Sequence, residues 1–214
     1  MSHRYEILSL AETETAPHRG SNLVPIRHLL GFRAAGVNAW RADAGGQLIP
    51  PHEEDSGDQE LYVVVVGHAT FTVGEETLDA PAGTLVFVES ETFRTAVAEE
   101  DGTTVFVAGA TIGKPFEAAG WDTFAVADGL RRAGRTDESR AVMQKAMADL
   151  PDSWALPYNA ACLEALSGNA DEAIPLLRRA LELNQDRAET HEYLASDGDL
   201  DNIRDDPRFQ ELLA

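Results

Sequence analysis

Gly46-Gln47-Leu48-Ile49-Pro50-Pro51-His52-Glu53-Glu54, followed by Glu60-Leu61-Tyr62-Val63-Val64-Val65-Val66-Gly67, decides the reading of the first half of this chain. Five residues separate Gly46 from His52, one separates His52 from Glu54, and six separate Glu60 from Gly67. A second piece, Pro81-Ala82-Gly83-Thr84-Leu85-Val86-Phe87-Val88, reaches Arg94 eleven residues after Gly83. On a strand, successive side chains alternate between faces, so His52 and Glu54 share one face and Glu60, Tyr62, Val64 and Val66 share another.

This spacing resembles the cupin superfamily, in which a glycine is followed by two histidines, a glutamate and, from a later strand, a third histidine. His52 and Glu60 match by type; Glu54 stands for the second histidine and Arg94 for the third. The resemblance implies an antiparallel β-barrel of jelly-roll type over roughly residues 37–109. It also implies a divalent metal held by His52, Glu54 and Glu60. Imidazoles plus a carboxylate suit iron, manganese, nickel, copper or zinc. Glu54 preserves an oxygen donor, whereas a guanidinium has no lone pair to give and carries a permanent charge.

We therefore expect Arg94 to fill the space and charge role of the missing metal, held by Glu54 and Glu60, because buried carboxylates require a partner. The alternative is an Arg94 turned outward at the barrel rim. Five residues lie between Glu54 and Glu60, more than the family pattern, and Asp55-Ser56-Gly57-Asp58 reads as an inserted turn. Glu60 is the expected anchor and Asp58 the fallback. Trp40, Tyr62 and Arg94 are expected to line a pocket able to take a small polar acid.

The 214 residues carry 37 acidic and 17 basic side chains, a net charge of −20. Divided at Gly113, the halves hold 6 basic against 17 acidic residues and 11 against 20. Phosphate contacts dominate nucleic-acid affinity, so neither nucleic acid nor an anionic membrane is an expected partner. No secretory leader or run of some eighteen apolar residues is evident. The single cysteine, Cys162, excludes an internal disulfide framework and fits a reducing cytoplasm. Ala160, Ala161 and Leu163 around it point to helix packing.

Short strands are expected over 35–42, 61–66, 69–73, 84–88, 93–98 and 103–108, with Gly and Asp turns between them. The run 61–66 has no polar position, which predicts a strand buried on both sides. Tyr5 to Leu10 could add a strand, through which a homodimer could form. Among the histidines, His3, His18, His68 and His191 read as solvated. His28 falls in an expected strand, Val24 to Leu30, and only His52 has a motif around it.

After Gly113 the period changes to 3.6, giving expected helices over 124–132, 138–150, 156–166 and 172–183. Gly134 and Gly168, Ala127 and Ala161, Glu138 and Glu172, Met143 and Leu177, and Ala146 and Ala180 all lie 34 residues apart, with Ser139 matched by Ala173. This resembles the tetratricopeptide repeat, most closely from Tyr158 through Leu183. The usual aromatic is absent at one position, and Gln185 stands where proline is common. Pro175 is expected in the first helical turn, where no intrahelical amide bond is lost. A third unit from Ala188 breaks off into two short pieces, Leu200 to Phe209, expected to cap the array.

The sequence thus predicts an α+β protein: a cupin-like barrel over 1–113 and tetratricopeptide-like helices over 114–214. The expected role is a non-catalytic barrel with a degenerate metal site and no resident cofactor, whose helical repeats contact another, unidentified protein. Two alternatives stay open, a metal-dependent oxygenase or isomerase using His52, Glu54 and Glu60, and a small-molecule sensor.

Overall fold

The computed structural model describes residues 5–54, 57–116, 120–184 and 187–213, which form two compact units, Met1–Ala118 and Ala119–Ala214. His3, and Asp55 and Ser56 of the expected inserted turn, lie outside the described residues.

The first unit is built from two antiparallel sheets. One contains β1 (Ala16–His18), β2 (Ser21–Val24), β3 (Gly36–Ala42), β10 (Thr103–Thr111), β5 (Asp58–Val66) and β8 (Leu85–Val88), in that spatial order. The other contains β4 (Gln47–His52), β9 (Arg94–Ala98), β6 (His68–Val73) and β7 (Glu76–Pro81). No strand pairing joins the sheets among the described residues, so the expected closed barrel is an open, two-sheet sandwich. Alternation decides its interior: Trp40, Tyr62, Val64 and Val105 from one sheet face Ala69, Phe71, Ala96 and Ala98 from the other, and all are buried. Tyr62 meets Phe71 edge-on with centroids 5.7 Å apart, one aromatic bridge across the layers.

The run 61–66 departs from expectation. Only Tyr62 and Val64 are buried; Leu61, Val65 and Val66 are exposed. Val105 pairs with Val64 and Thr104 with Val66, so Val65 is the extra residue of a bulge. The bulge interrupts the alternation that would have sent Val66 inward. Tyr5 to Leu10 forms no strand either. Instead Leu8 and Leu10 pack on Val24, Ile26 and Ala39, and Arg41 grips the carbonyls of Leu10 and Thr13 at 2.5 and 2.9 Å. His28 belongs to a short helix, α1 (Ile26–Leu30), since Gly31 in the left-handed region ends the segment as a helix.

In the second unit α2 (Trp121–Arg132) and α3 (Thr136–Asp149) repeat as α4 (Ala155–Leu166) and α5 (Ala170–Leu183). The equivalence reaches single bonds. Gly134 and Gly168 both adopt positive φ, and each donates to a carbonyl three residues back, Arg131 and Ala165. The following amides of Arg135 and Asn169 reach Leu130 and Glu164, so both first helices close with the same glycine-dependent cap. Ala127 and Ala161 are fully buried at the crossings, where a larger side chain would hold the helices apart. Pro175 is the sixth residue of α5, past the first turn, because the helix starts two residues earlier than expected; its missing amide removes a bond to Asp171.

The tail behaves as the expected cap. α6 (Arg187–Ser196), a 3-10 turn (Gly198–Ile203) and α7 (Pro207–Gln210) bring Leu194, Leu200, Ile203, Phe209 and Leu212 onto Ile174 and Leu177. No helix among the described residues is long and apolar enough to cross a membrane.

Candidate functional site

His52 ends β4 and Arg94 begins β9, and the two are direct register partners in one ladder. Val73 pairs with Arg94 and Phe71 with Ala96, so the alternation that buries Phe71 also turns Arg94 inward. Glu60 reaches the same space from β5 in the facing sheet. Gly109, opposite Glu60, leaves it room, since a Cβ there would meet Glu60 Cγ at 3.2 Å. Three of the expected site residues therefore converge from three strands.

His52 Nδ1 lies 2.7 Å from the carbonyl oxygen of Pro50, which can only accept, so Nδ1 carries the proton. The other ring nitrogen, Nε2, faces two carboxylates, Glu54 Oε1 and Glu60 Oε2, each at 3.7 Å. Burial by itself would lower the imidazole pKa. The attraction of the nearby Glu60 carboxylate and the hydrogen bond to Pro50 outweigh burial and Arg94 and leave it raised. Burial likewise pushes Glu60 upward, but His52, Tyr62 and Arg94 together hold its carboxyl below the usual range. The Tyr62 hydroxyl donates to Glu60 Oε2, and burial followed by that negative charge pushes its own pKa up.

Arg94 is completely buried, at 0% exposure, which removes the outward-facing alternative. Its Nε lies 3.5 Å from Glu60 Oε2, and its Nη2 donates to the Glu89 carbonyl at 3.0 Å. Nε and Nη1 have no hydrogen-bond partner of good geometry among the described residues. Glu54 lies against His52. Asp58, the fallback anchor, opens β5 and instead accepts from the Thr111 hydroxyl of the neighbouring β10. Trp40 is buried on the inward face but pairs with Val105 opposite Val64, four residues along the ladder from Glu60; its ring lies 6.1 Å from that of His18. His18, expected as solvated, is thus half-buried beside an indole. Trp40 lines the core, while Tyr62 and Arg94 line the polar cluster.

One donor atom each from His52, Glu54 and Glu60 lie within 4.8 Å of one another. The spacing suits an ion, but the chemistry does not suit a transition metal. The set offers one nitrogen, and the Glu60 oxygen it would need already accepts from Tyr62 and faces a guanidinium. A cation placed about 4 Å from Arg94 would meet roughly 4 kcal/mol of repulsion per unit of its charge at an effective dielectric near 20.

Two other features were not read from the sequence. In the helical unit a groove of about 440 Å³ is lined by Arg131, Arg140, Met143, Met147, Leu163 and Glu164. Arg140 and Glu164 close a two-pronged ion pair there, at 2.6 and 2.7 Å. Cys162, buried in α4 as expected, lies 3.7 Å from Asp197, which also accepts from Tyr158 and from the Asp199 amide. No spacing in the sequence signals either arrangement, because each joins residues 24 to 39 apart.

No protein-family profile matches the sequence, and no curated relative reaches significance. Solved structures with a similar first half include a cupin protein from Bacteroides fragilis, 17% identical over 55% of this chain and 92% of that one, with a TM-score of 0.43. A double-stranded β-helix protein from Klebsiella pneumoniae is 19% identical over 53% and 95%, with a TM-score of 0.41. A predicted oxalate decarboxylase from Thermotoga maritima is 13% identical over 50% and 100%, with a TM-score of 0.40. These neighbours are cupin and double-stranded β-helix proteins, and they cover the half of the chain that carries the two sheets.

Proposed function

We propose that this chain is a non-catalytic binding protein of two modules: a cupin-type sandwich whose metal seat is taken by Arg94, and a tetratricopeptide-type helical module that docks another protein. The observation that carries the first part is the fully buried guanidinium beside Glu60, in a cluster that balances its charges internally. The second part rests on the 34-residue equivalence of caps and crossings and on the groove between the helices. Repeat arrays use such concave faces to hold extended peptides.

The metal reading is tested by growing cells with added manganese, iron, nickel or zinc and measuring metal in the purified protein. Substoichiometric metal, with no change in melting temperature on adding each ion, is the expected result, since an ion bound only to the native state would raise it. One tightly held ion per chain on His52 overturns it. That outcome would favour the second reading, a metal-dependent oxygenase or isomerase using His52, Glu54 and Glu60, which the mutual approach of their donor atoms supports. For the helical module, a Gln144→Glu/Met147→Glu variant should lose whatever partner the whole chain retains.

A further inference from the structure

Trp154, Tyr158 and Cys162 are spaced four apart from the N-cap of α4 onward, so they form one stripe on that helix. Tyr193 on α6 and Asp197 just beyond its end repeat the spacing. The two stripes meet rung by rung. The rings of Trp154, Tyr158 and Tyr193 lie with each pair of centroids 6.0 Å apart. The Tyr158 hydroxyl donates to Asp197 Oδ2 at 3.0 Å, and the Cys162 sulfur lies 3.7 Å from the same oxygen. Asp199, from the 3-10 turn, brings a carboxylate oxygen within 4.8 Å of both the Asp197 carboxylate and that sulfur. We propose that this aromatic and acidic patch is a cation site, filled by a lysine or arginine side chain of a partner protein. The proposal rests on the reading of the helical unit as a docking module and names the chemistry of what docks.

Unbalanced charge argues for a positive occupant. Other half-buried or buried acids of this unit are paired, Glu164 with Arg140 and Asp128 with Arg131 and Arg132. Asp197 and Asp199 form no ion pair among the described residues. Arg131 and Arg132 lie nearby, but both bind Asp128, at 2.7 Å each, and Arg204 reaches Asp197 only at its backbone carbonyl. Burial, with the charges of Asp197 and Asp128, holds the Asp199 carboxyl above its usual range, as happens where carboxylates gather without a counter-cation.

The rings narrow the choice of cation. An aromatic face attracts a positive group within about 6 Å of its centroid. Tyr158 is buried, but Trp154 is partly exposed and Tyr193 is 44% exposed, so ring surface stays open to solvent beside the half-buried acids. A lysine or arginine lays its apolar stem along such rings and brings its charged head to the carboxylates. A bare metal ion could balance the acids but has no stem to cover the rings. An anion would be repelled, and a neutral apolar side chain would leave the acids without a counter-charge.

NMR titration of the full chain with a blocked alanine pentapeptide carrying one central lysine tests the proposal. The indole NH of Trp154 should shift saturably, and the same peptide with norleucine in place of lysine should leave it unmoved. Tyr193→Leu keeps an apolar contact but removes the aromatic face, so it should weaken binding about three- to tenfold, while Tyr193→Phe should retain it. Asp199→Asn should weaken binding by a similar factor. Glu75→Gln/Glu76→Gln, at exposed acids of the β6–β7 turn in the other unit, should change nothing. An unmoved Trp154 signal overturns the proposal, as does equal binding of the norleucine peptide. Equal weakening by the Glu75/Glu76 variant also overturns it, by assigning the attraction to the net charge of −20. A protein partner lost by Gln144→Glu/Met147→Glu but kept by Tyr193→Leu would strike this site and leave helical docking standing.

Discussion

Arg94 and His52 stand opposite each other in the β4–β9 ladder and turn to the same atom, Glu60 Oε2, at 3.5 and 3.7 Å. Two cationic or potentially cationic groups from one sheet thus share a carboxylate from the other. Their contacts with Glu60 span the sandwich, so the chemistry of the cluster and the packing of the layers are coupled. Replacing Arg94 has consequences for both.

Arg94→His restores a second nitrogen donor and removes the buried positive charge. This variant should retain about one divalent ion per chain by elemental analysis. Its melting temperature should rise with added ion, by an amount corresponding to about 2.7 kcal/mol at a hundred times the dissociation constant. Arg94→Met supplies no ligand and leaves Glu60 without its cation, so it should cost about 3 kcal/mol in urea unfolding. An Arg94→His protein that binds no metal would count against the idea that the guanidinium alone closes the site.

The raised imidazole pKa of His52 and the lowered carboxyl pKa of Glu60 give opposite pH slopes. His52 is held above its ordinary value near 6.5, so its contribution to stability is complete below that value and is lost as pH rises through the folded pKa. Glu60 is held below its ordinary value near 4.5, so its contribution is present above that value and is lost as pH falls through the folded pKa. Stability from the pair is therefore greatest between about 4.5 and 6.5. Proton NMR should find the His52 ring titrating above 6.5 in the native protein, and Glu60→Gln should bring that midpoint down.

The α+β division and the two-module order were legible because the period changes from two to 3.6 near Gly113, a local property that survives without tertiary information. His52 and Glu60 were legible for a related reason, since motif spacing fixes which face a strand residue takes. What escaped depends on sequence-distant partners. The bulge at Val65 forms only because β10 has no matching residue, so nothing in Leu61 to Val66 announces it. Likewise Trp40 shares the inward face with Glu60, but its place along the ladder is set by β3–β10–β5 register, which alternation alone does not supply.

The repeat makes a paired stability prediction. Met143 and Leu177 occupy the same position in successive units and are both buried, but Leu177 lies against Leu194, Leu200 and Phe209 of the cap, while Met143 packs with Ala127, Leu156 and Leu163. Truncating each to alanine should cost about 2–5 kcal/mol, from lost burial plus the cavity left behind. Because Leu177 joins a second helix pair to the cap, Leu177→Ala should also release the tail, visible as faster amide exchange at Leu200 and Phe209. Equal exchange there in the two variants would mean the cap folds independently of the repeat.

The Cys162 thiol, finally, should be inert in the native protein. Burial pushes its pKa up, and the negative charges of Asp197 and Asp199 push it further, so almost no thiolate exists near neutrality. Access is closed as well, with the residue 2% exposed on the buried face of α4. A disulfide reagent at pH 8 should therefore label the folded chain only as fast as it opens, and label it at once in urea. Asp197→Asn removes one of the two charges and keeps the side-chain shape, so native labelling should quicken only modestly if access is the slower step. A large acceleration in that variant would instead assign the protection to charge, and rapid labelling of the unmodified protein would show that the α4 core opens far more readily than its packing implies.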